Sequence, residues 1–423
     1  MKRVLIIGYL HPLARSGGSF RTLPLAKYLP EFGWEPTVLT PFLVEKAELP
    51  FRIIETPYRH TPGFWEKLFG FDLDKDIKGQ VKERFGTSLK NSLIDFILAQ
   101  GSKIINYPDP HKGWRSFALE AGSELLKQEN FNALISCHPV ISHIICSDLK
   151  DKFRIPWIAD FADLWSQNPN YGYGFLRRML DRRLELKTLS DAEALITVSE
   201  PGAKKMRALH EGCLVYTITH GFSPAEVNIP PAKLTTKFTI TYTGSIYTRR
   251  QDPSKLFAAL QGLIFDKSVS SNEVEVLFYG KKYEWLQKQI EQYGLSNIVK
   301  QYGLVPRETV LEKQRESQLL LLLKWEDPKE RGVYTGKIFE YLAARRPILA
   351  TGGSDDVVSE LLGKTKAGIC APTVDDIKNI LKKLYQEYKL KGEVIYREEK
   401  SEVNKYSHRE MTRKFSEVLD QLA

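Results

Sequence analysis

The chain has 423 residues, 42% of them hydrophobic and 27% charged, which excludes a disordered, collagenous or fibrous protein. Domains usually hold roughly 100–200 residues, so two packed cores fit this length better than one. The 61 Lys and Arg residues exceed the 52 Asp and Glu residues by 9, a modest basic excess that suits an anionic partner without naming it.

Short apolar runs alternate with segments of helical spacing, the pattern of parallel sheets covered on both faces. The first series of predicted strands is Arg3–Ile7, Pro36–Thr40, Ile53–Ile54, Ala133–Ser136, Pro156–Asp160 and Ala194–Val198. Gly8, His11, Pro12 and Arg15 break the opening apolar run, so it reads as a buried strand and not as a signal peptide. An irregular insertion over about 57–115 interrupts this series and is too long for a plain loop. The second series is Phe238–Gly244, Val274–Gly280, Ile298–Tyr302, Gln318–Leu323, Pro347–Ala350 and Ala367–Cys370. Between the two, Ser223–Thr236 carries three prolines and no apolar periodicity and reads as a linker. The expected domains are therefore 1–222, the linker 223–236, 237–405, and a final helix over 406–423 that crosses both halves. In that helix Met411, Phe415, Val418 and Leu422 recur at helical spacing.

No stretch approaches the roughly 18 apolar residues of a membrane span. Four cysteines without a C-x-x-C pair suit neither a zinc site nor a disulfide scaffold, and they point to a reduced, cytoplasmic setting. Two doubly wound domains would place the carboxyl ends of both sheets beside a shared cleft, the expected site.

Candidate residues cluster at the ends of these strands. Gly17 and Gly18 expose backbone N–H groups before the helical segment Phe20–Tyr28, where an anion can dock; a plain strand-to-helix turn is the alternative. The dinucleotide fingerprint is absent, since Tyr9 and Leu10 follow Gly8. The run from Gly332 to Lys337 is one residue short of a phosphate loop, and Ile338 replaces the magnesium-binding hydroxyl. Lys337 and Glu340 are instead spaced to share one helical face, so the cation and the helix N-terminus can meet a diphosphate while the carboxylate meets a ribose diol. A surface ion pair is the plainer reading. His220–Phe222 ends one strand, and Gly244 and Ser245 end another, with Arg249, Arg250 and Lys255 close behind as phosphate-binding cations.

In the first half His138, Asp160 and Asp163 fall at strand carboxyl ends, where each can take a proton from a hydroxyl or hold a sugar. The pairs among Asp72, Asp74 and Asp76 have a metal-chelating spacing, which in a charged, irregular insertion chance explains better. Phe175–Lys187 forms a basic amphipathic helix through Arg177, Arg178, Arg182 and Arg183; it either lies on an anionic bilayer, as does the aromatic segment Gly63–Phe69, or covers a sheet. No ladder of aromatics interleaved with basic residues supports nucleic-acid binding.

Taken together, the Gly17-Gly18 loop, Ile155–Trp165, Ala194–Ser199, His220–Phe222, Tyr242–Ser245 and Gly336–Ala343 resemble glycosyltransferases of the GT-B architecture, most like family 4, over nearly the whole chain. The resemblance implies an α/β protein of two tandem Rossmann-like domains facing a cleft. It implies a nucleotide-sugar donor held mainly by the second domain, and a glycan or lipid-linked acceptor on the first. Glu340 would serve the ribose, Arg250 and Lys337 the diphosphate, and the backbone around Gly303 and Leu304 the nucleobase. The implied reaction is a metal-independent glycosyl transfer with retention, in which Arg250 and Lys337 meet the leaving-group charge, while His138, Asp160 and Asp163 orient acceptor or sugar. No further cofactor is implied. This chain departs from the pattern at Gly332, where a second glutamate would fall, at Ala162, where relatives carry an arginine, and at Ser245. Two alternatives stay open. A sugar-nucleotide epimerase would work without an acceptor, and a degenerate partner-binding subunit would bind donor without turnover.

Overall fold

The computed structural model describes residues 1–9, 19–42, 49–59, 107–227, 229, 232–248, 250–327, 331–353 and 355–422, with the side chains of Ser19 and Phe20 excepted. The Gly17-Gly18 loop, Arg249, the segment Gly63–Phe69 and the acidic pairs at Asp72–Asp76 lie outside the described residues. The chain divides into two compact units. One comprises Met1–Val198, Gly202–Ile218 and the residues from Thr412 onward; the other comprises Ser199–Pro201 and Thr219–Met411.

The first unit carries a seven-stranded sheet: β1 (Lys2–Ile7), β2 (Trp34–Pro41), β3 (Arg52–Thr56), β4 (Ala133–Ser136), β5 (Trp157–Phe161), β6 (Ala194–Thr197) and β7 (Leu214–Thr217). Their spatial order is β3-β2-β1-β4-β5-β6-β7, with every pairing parallel. Six of these match the sequence expectation. The seventh, β7, belongs to the strand end expected at His220–Phe222 but closes earlier, at Thr217, and has no buried residue. The strand order reverses between β1 and β4, and at this switch point Tyr9 N–H donates to the His138 carbonyl at 3.4 Å.

The second unit carries β8 (Phe238–Thr243), β9 (Val274–Tyr279), β10 (Val299–Gly303), β11 (Leu319–Leu323), β12 (Ile348–Thr351) and β13 (Gly368–Ala371), ordered β10-β9-β8-β11-β12-β13 and again all parallel. Strand β11 shows why. Leu319, Leu321 and Leu323 enter one apolar cluster with Phe238, Ile240 and Tyr242, while Leu320 and Leu322 enter the other with Ile338 and Leu342. Side chains alternate faces along a strand, so only a sheet covered on both sides buries five leucines in a row. Its switch point lies between β8 and β11, where the Gln251 amide bonds the Leu323 carbonyl at 2.7 Å.

Within the segment read as a linker, Pro224–Val227 is a single helical turn of the second unit. The last helix, His408–Leu422, begins in the second unit and contributes its remainder to the first. There Phe415 and Leu419 are fully enclosed, Thr412 donates to the Pro24 carbonyl at 3.4 Å, and Asp420 meets Lys2 and the Trp34 indole. Leu419, one turn before the expected Leu422, carries the final buried contact of that stripe.

Candidate functional site

In the second unit the residues singled out from sequence meet at the carboxyl edge of the sheet. Strand β8 ends at Thr243, and Gly244 turns with φ +96, a left-handed conformation that favours glycine, with Lys337 Cε only 2.7 Å from where a Cβ would stand. Lys337 opens the helix Gly336–Ala344, lies 5.4 Å from the Tyr242 ring centroid, and points its Nζ to the Ser245 carbonyl at 3.3 Å. Burial lowers its pKa, and Glu340 opposes that shift. Three glycine turns interlock beside it: Gly244 N–H donates to Tyr279 O at 2.7 Å, Gly280 N–H donates to Gly303 O at 2.9 Å, and a Cβ on Gly280 would come 2.3 Å from Gly244 O. Close backbone approach of this kind leaves no room for a side chain at Gly280. Leu304, which follows Gly303, is 84% exposed, and Tyr302 stacks on Tyr279 with ring centroids 4.8 Å apart.

Glu340 sits one turn along the same helix, part-buried, with Oε1 accepting from Arg307 Nη1 at 2.7 Å and Oε2 from Gln314 at 3.4 Å. Gln314 also donates to Thr243 Oγ1 at 2.9 Å, and Thr243 N–H donates to the Tyr341 hydroxyl at 3.1 Å, so the carboxylate is wired to the end of β8. Arg250 takes another position. Its guanidinium lies 5.0 Å from the Trp325 ring centroid, on the loop after β11, and Trp325 also packs against Tyr247. The structure thus joins Gly244, Ser245 and Lys337 in direct contact, sets Glu340 one turn along the Lys337 helix, and turns Arg250, farther along the same loop after β8, onto Trp325. At Gly332 a Cβ would lie 2.9 Å from Pro201 Cβ of the same unit, so a glutamate there needs the loop to move.

Arg307, Gln314 and Trp325 were not legible as site residues. Arg307 and Gln314 lie on a charged helix whose sequence gives no sign of which side chains turn inward, and Trp325 reads as one more aromatic after a strand.

The first unit has a pocket of about 480 Å³ at the ends of β4 and β5, and His138, Asp160 and Asp163 all line it. His138 follows β4 and is exposed; Asp163 follows β5, and its carboxyl is raised above the usual range by desolvation, which His138 partly offsets. Asp160 differs. It ends inside β5 at 1% exposure, and both oxygens accept from Arg21 Nε, at 2.7 and 3.0 Å. Arg21 also donates to the Ile218 carbonyl at 3.0 Å and lies 5.2 Å from the Phe415 ring centroid. Arg21, unmarked in the sequence, is the buried counter-ion of this end of the sheet.

The helix Phe175–Leu189 is inverted relative to a sheet-covering helix. Asp181, Glu185 and Thr188 are buried, whereas Phe175, Leu176, Met179 and Leu180 are 49–79% exposed. Arg177 and the Tyr171 hydroxyl hold Asp181, and Ser166 and His210 hold Glu185, so polar partners compensate the buried carboxylates. The apolar residues of its first turns are left to the surface, while Leu184 and Leu189 pack on the core. Among the described residues no helix is long and apolar enough to cross a membrane.

No family model matches the sequence, and no curated protein matches it. Solved structures do match in fold. A crystal structure of Anabaena HepE in complex with UDP and glucose aligns over 100% of both chains, with a TM-score of 0.61 and 12% identity. Sucrose-phosphate synthase from Thermosynechococcus elongatus aligns over 100% of this chain and 99% of its own, with a TM-score of 0.60 and 14% identity. WaaG, a glycosyltransferase involved in lipopolysaccharide biosynthesis, aligns over 98% of this chain and 99% of its own, with a TM-score of 0.57 and 13% identity. Two all-parallel, doubly wound units with these strand orders, matched end to end by such structures, make this chain an α/β protein of the GT-B fold.

Proposed function

We propose that this protein transfers a glycosyl group from a nucleotide-sugar donor to a hydroxyl of a glycan or lipid-linked acceptor, with retention of anomeric configuration and with no catalytic metal required. The observation that carries the proposal is the convergence of the Gly244 turn, the Gly336–Ala344 helix N-terminus, Lys337 and Glu340 on one strand edge of the second unit. A departing nucleoside diphosphate needs positive charge and backbone N–H groups aimed where its charge grows. Lys337 and the helix N-terminus supply these directly, and Arg250 adds a guanidinium from farther along the loop after β8. Glu340, already positioned by Arg307 and Gln314, accepts from a ribose diol; the glycine turns admit the rest of the nucleotide. His138 and Asp163 orient the acceptor. The likeness to HepE, whose crystals hold UDP and glucose, supports the donor class.

The test is a panel of nucleotide-sugars with glycan and lipid-linked acceptors, read by nucleoside diphosphate release and by the anomeric NMR signal of the product. Glu340→Ala and Arg250→Ala are each expected to lower kcat/KM at least tenfold with the fold intact. A wild-type protein that releases no nucleotide and binds no donor, or two variants that match it, would sink the reading.

A cytoplasmic enzyme working on a lipid-linked acceptor at the inner membrane face accounts for the outward apolar side of Phe175–Leu189. Phe175, Leu176, Met179 and Leu180 are exposed beside Arg178, Arg182 and Arg183, also exposed, which suits an anionic bilayer. Arg177 is committed to Asp181 and takes no part. Flotation with phosphatidylglycerol vesicles should fall when Arg178, Arg182 and Arg183 are changed to Gln and Leu176 to Ser; unchanged flotation rejects membrane docking.

A further inference from the structure

The pocket of the first unit has a distinctive charge. Asp109, Asp160, Asp163 and Asp181 line it, and no Lys or Arg does among the described residues. Behind the wall, Arg21 neutralises Asp160 and Arg177 neutralises Asp181. Arg178 lies 4.8 Å from the Tyr171 ring centroid and is the remaining cation at its margin. Among the described residues Asp109 and Asp163 have no ammonium or guanidinium partner of their own. Asp109 accepts the His111 backbone N–H at 2.7 Å, and Asp163 faces His138.

His143 and His111 do not reverse the sign. His143 bonds Ser136 Oγ at 2.7 Å and stacks on Phe161 with centroids 4.1 Å apart; burial pushes its pKa down to about 3, so it is neutral at physiological pH. Burial also lowers the pKa of His111, against the pull of Asp109. The walls are otherwise aromatic and amide in character. Tyr171 and Tyr173 stand edge to face with centroids 5.3 Å apart, and Asn168 and Asn170 line the same side. Ring faces that pack on sugar C–H groups, with carboxylates and amides for hydroxyls, suit a carbohydrate; a net negative lining without an inward guanidinium opposes phosphate or uronate. About 480 Å³ accommodates one or two sugar rings.

We infer that this pocket receives the acceptor as a neutral glycosyl unit and discriminates against acceptors with an acidic group on that unit. The inference rests on the glycosyl-transfer reading and narrows its acceptor class. Ala162 stands on the pocket wall with only a methyl group. Gly172 stands on the same wall, and a Cβ there meets nothing within 4 Å. Either position admits an engineered cation.

The experiment compares neutral oligosaccharides with their uronate and sugar-phosphate counterparts, as binders on an immobilised array and as acceptors, for wild type, Ala162→Arg and Gly172→Arg. Donor binding and acceptor-free donor hydrolysis are measured in parallel. Wild type should favour each neutral member over its acidic counterpart at least tenfold, and either arginine should shrink or reverse that ratio with donor binding unchanged. Gly172→Arg guards against misfolding at position 162. Equal or better binding of acidic members by wild type, or a ratio that both arginines leave alone, overturns the inference even where donor is bound and hydrolysed. If donor fails in every assay, the transfer reading falls, and the array still reports the pocket's preference.

Discussion

Asp160 ends a buried strand with both oxygens on Arg21 Nε, and each side chain is 1% exposed. Removing either partner leaves the other charge in the interior, at a cost of about 3–5 kcal/mol. That is a large part of the roughly 5–15 kcal/mol that holds a domain together. The structure places Arg21→Ala toward the upper end of that range, because the bond to Ile218 O and the contact with Phe415 go as well. The assay is urea denaturation followed by tryptophan fluorescence, since Trp34, Trp114, Trp157 and Trp165 all lie in the first unit. With a slope of about 2–3 kcal/mol per M, the midpoint of that transition should fall by about 1–2 M in Arg21→Ala and in Asp160→Ala. The pair Arg21→Met with Asp160→Leu removes both charges and should recover most of the loss, giving a large coupling energy. In that double variant glycosyl transfer should survive, because Asp160 acts by fixing the strand end that carries Ala162 and Asp163. Single variants that unfold at the wild-type urea concentration, or a double variant that loses the sum of both, would refute this account of the pair. A stable double variant with no transfer would return Asp160 to direct chemistry.

Two further expectations concern the second unit. Gly280→Ala forces a methyl to within 2.3 Å of Gly244 O, whose own turn is pinned by Tyr279, so it should destabilise that unit by about 1–3 kcal/mol and weaken donor binding; a variant with wild-type melting and affinity would contradict the interlocked turns. In the proposed role Lys337 meets diphosphate only as the ammonium, and burial lowers its pKa, so donor affinity should fall as pH rises through that lowered value. A bound diphosphate would raise the pKa again, so binding at a pH near the lowered value should take up a proton, seen as calorimetric enthalpies that depend on the buffer's ionisation heat. Lys337→Arg should bind without that dependence, and a wild type that takes up no proton would remove Lys337 from the diphosphate site.

Much of the architecture follows from local pattern. Five consecutive leucines in β11 are stable only between two apolar layers, and runs of this kind announced all six strands of the second sheet. Strand-end positions are equally local, which is why Gly244, Lys337, His138 and Asp163 could be placed at carboxyl edges before their neighbours were known. Strand β7 shows in the sequence only through the strand end read at His220–Phe222; it closes earlier, at Thr217, and pairing with β6, not burial, sets its range.

What the linear chain could not settle is which long-range partner each charge meets and which face each helix buries. Glu340 and Arg307 are joined by a bond between helices that follow different strands, and Arg21 and Asp160 by one between the start of the chain and β5. The helix Phe175–Leu189 makes the point most sharply. Its spacing is amphipathic whichever side faces inward, and only the presence of Arg177, Tyr171, Ser166 and His210 as partners lets it bury carboxylates and leave Phe175 and Leu176 outside. Hydrophobic periodicity is a property of a segment, so it is written in the sequence; desolvation and charge pairing depend on neighbours that only the folded chain brings within reach.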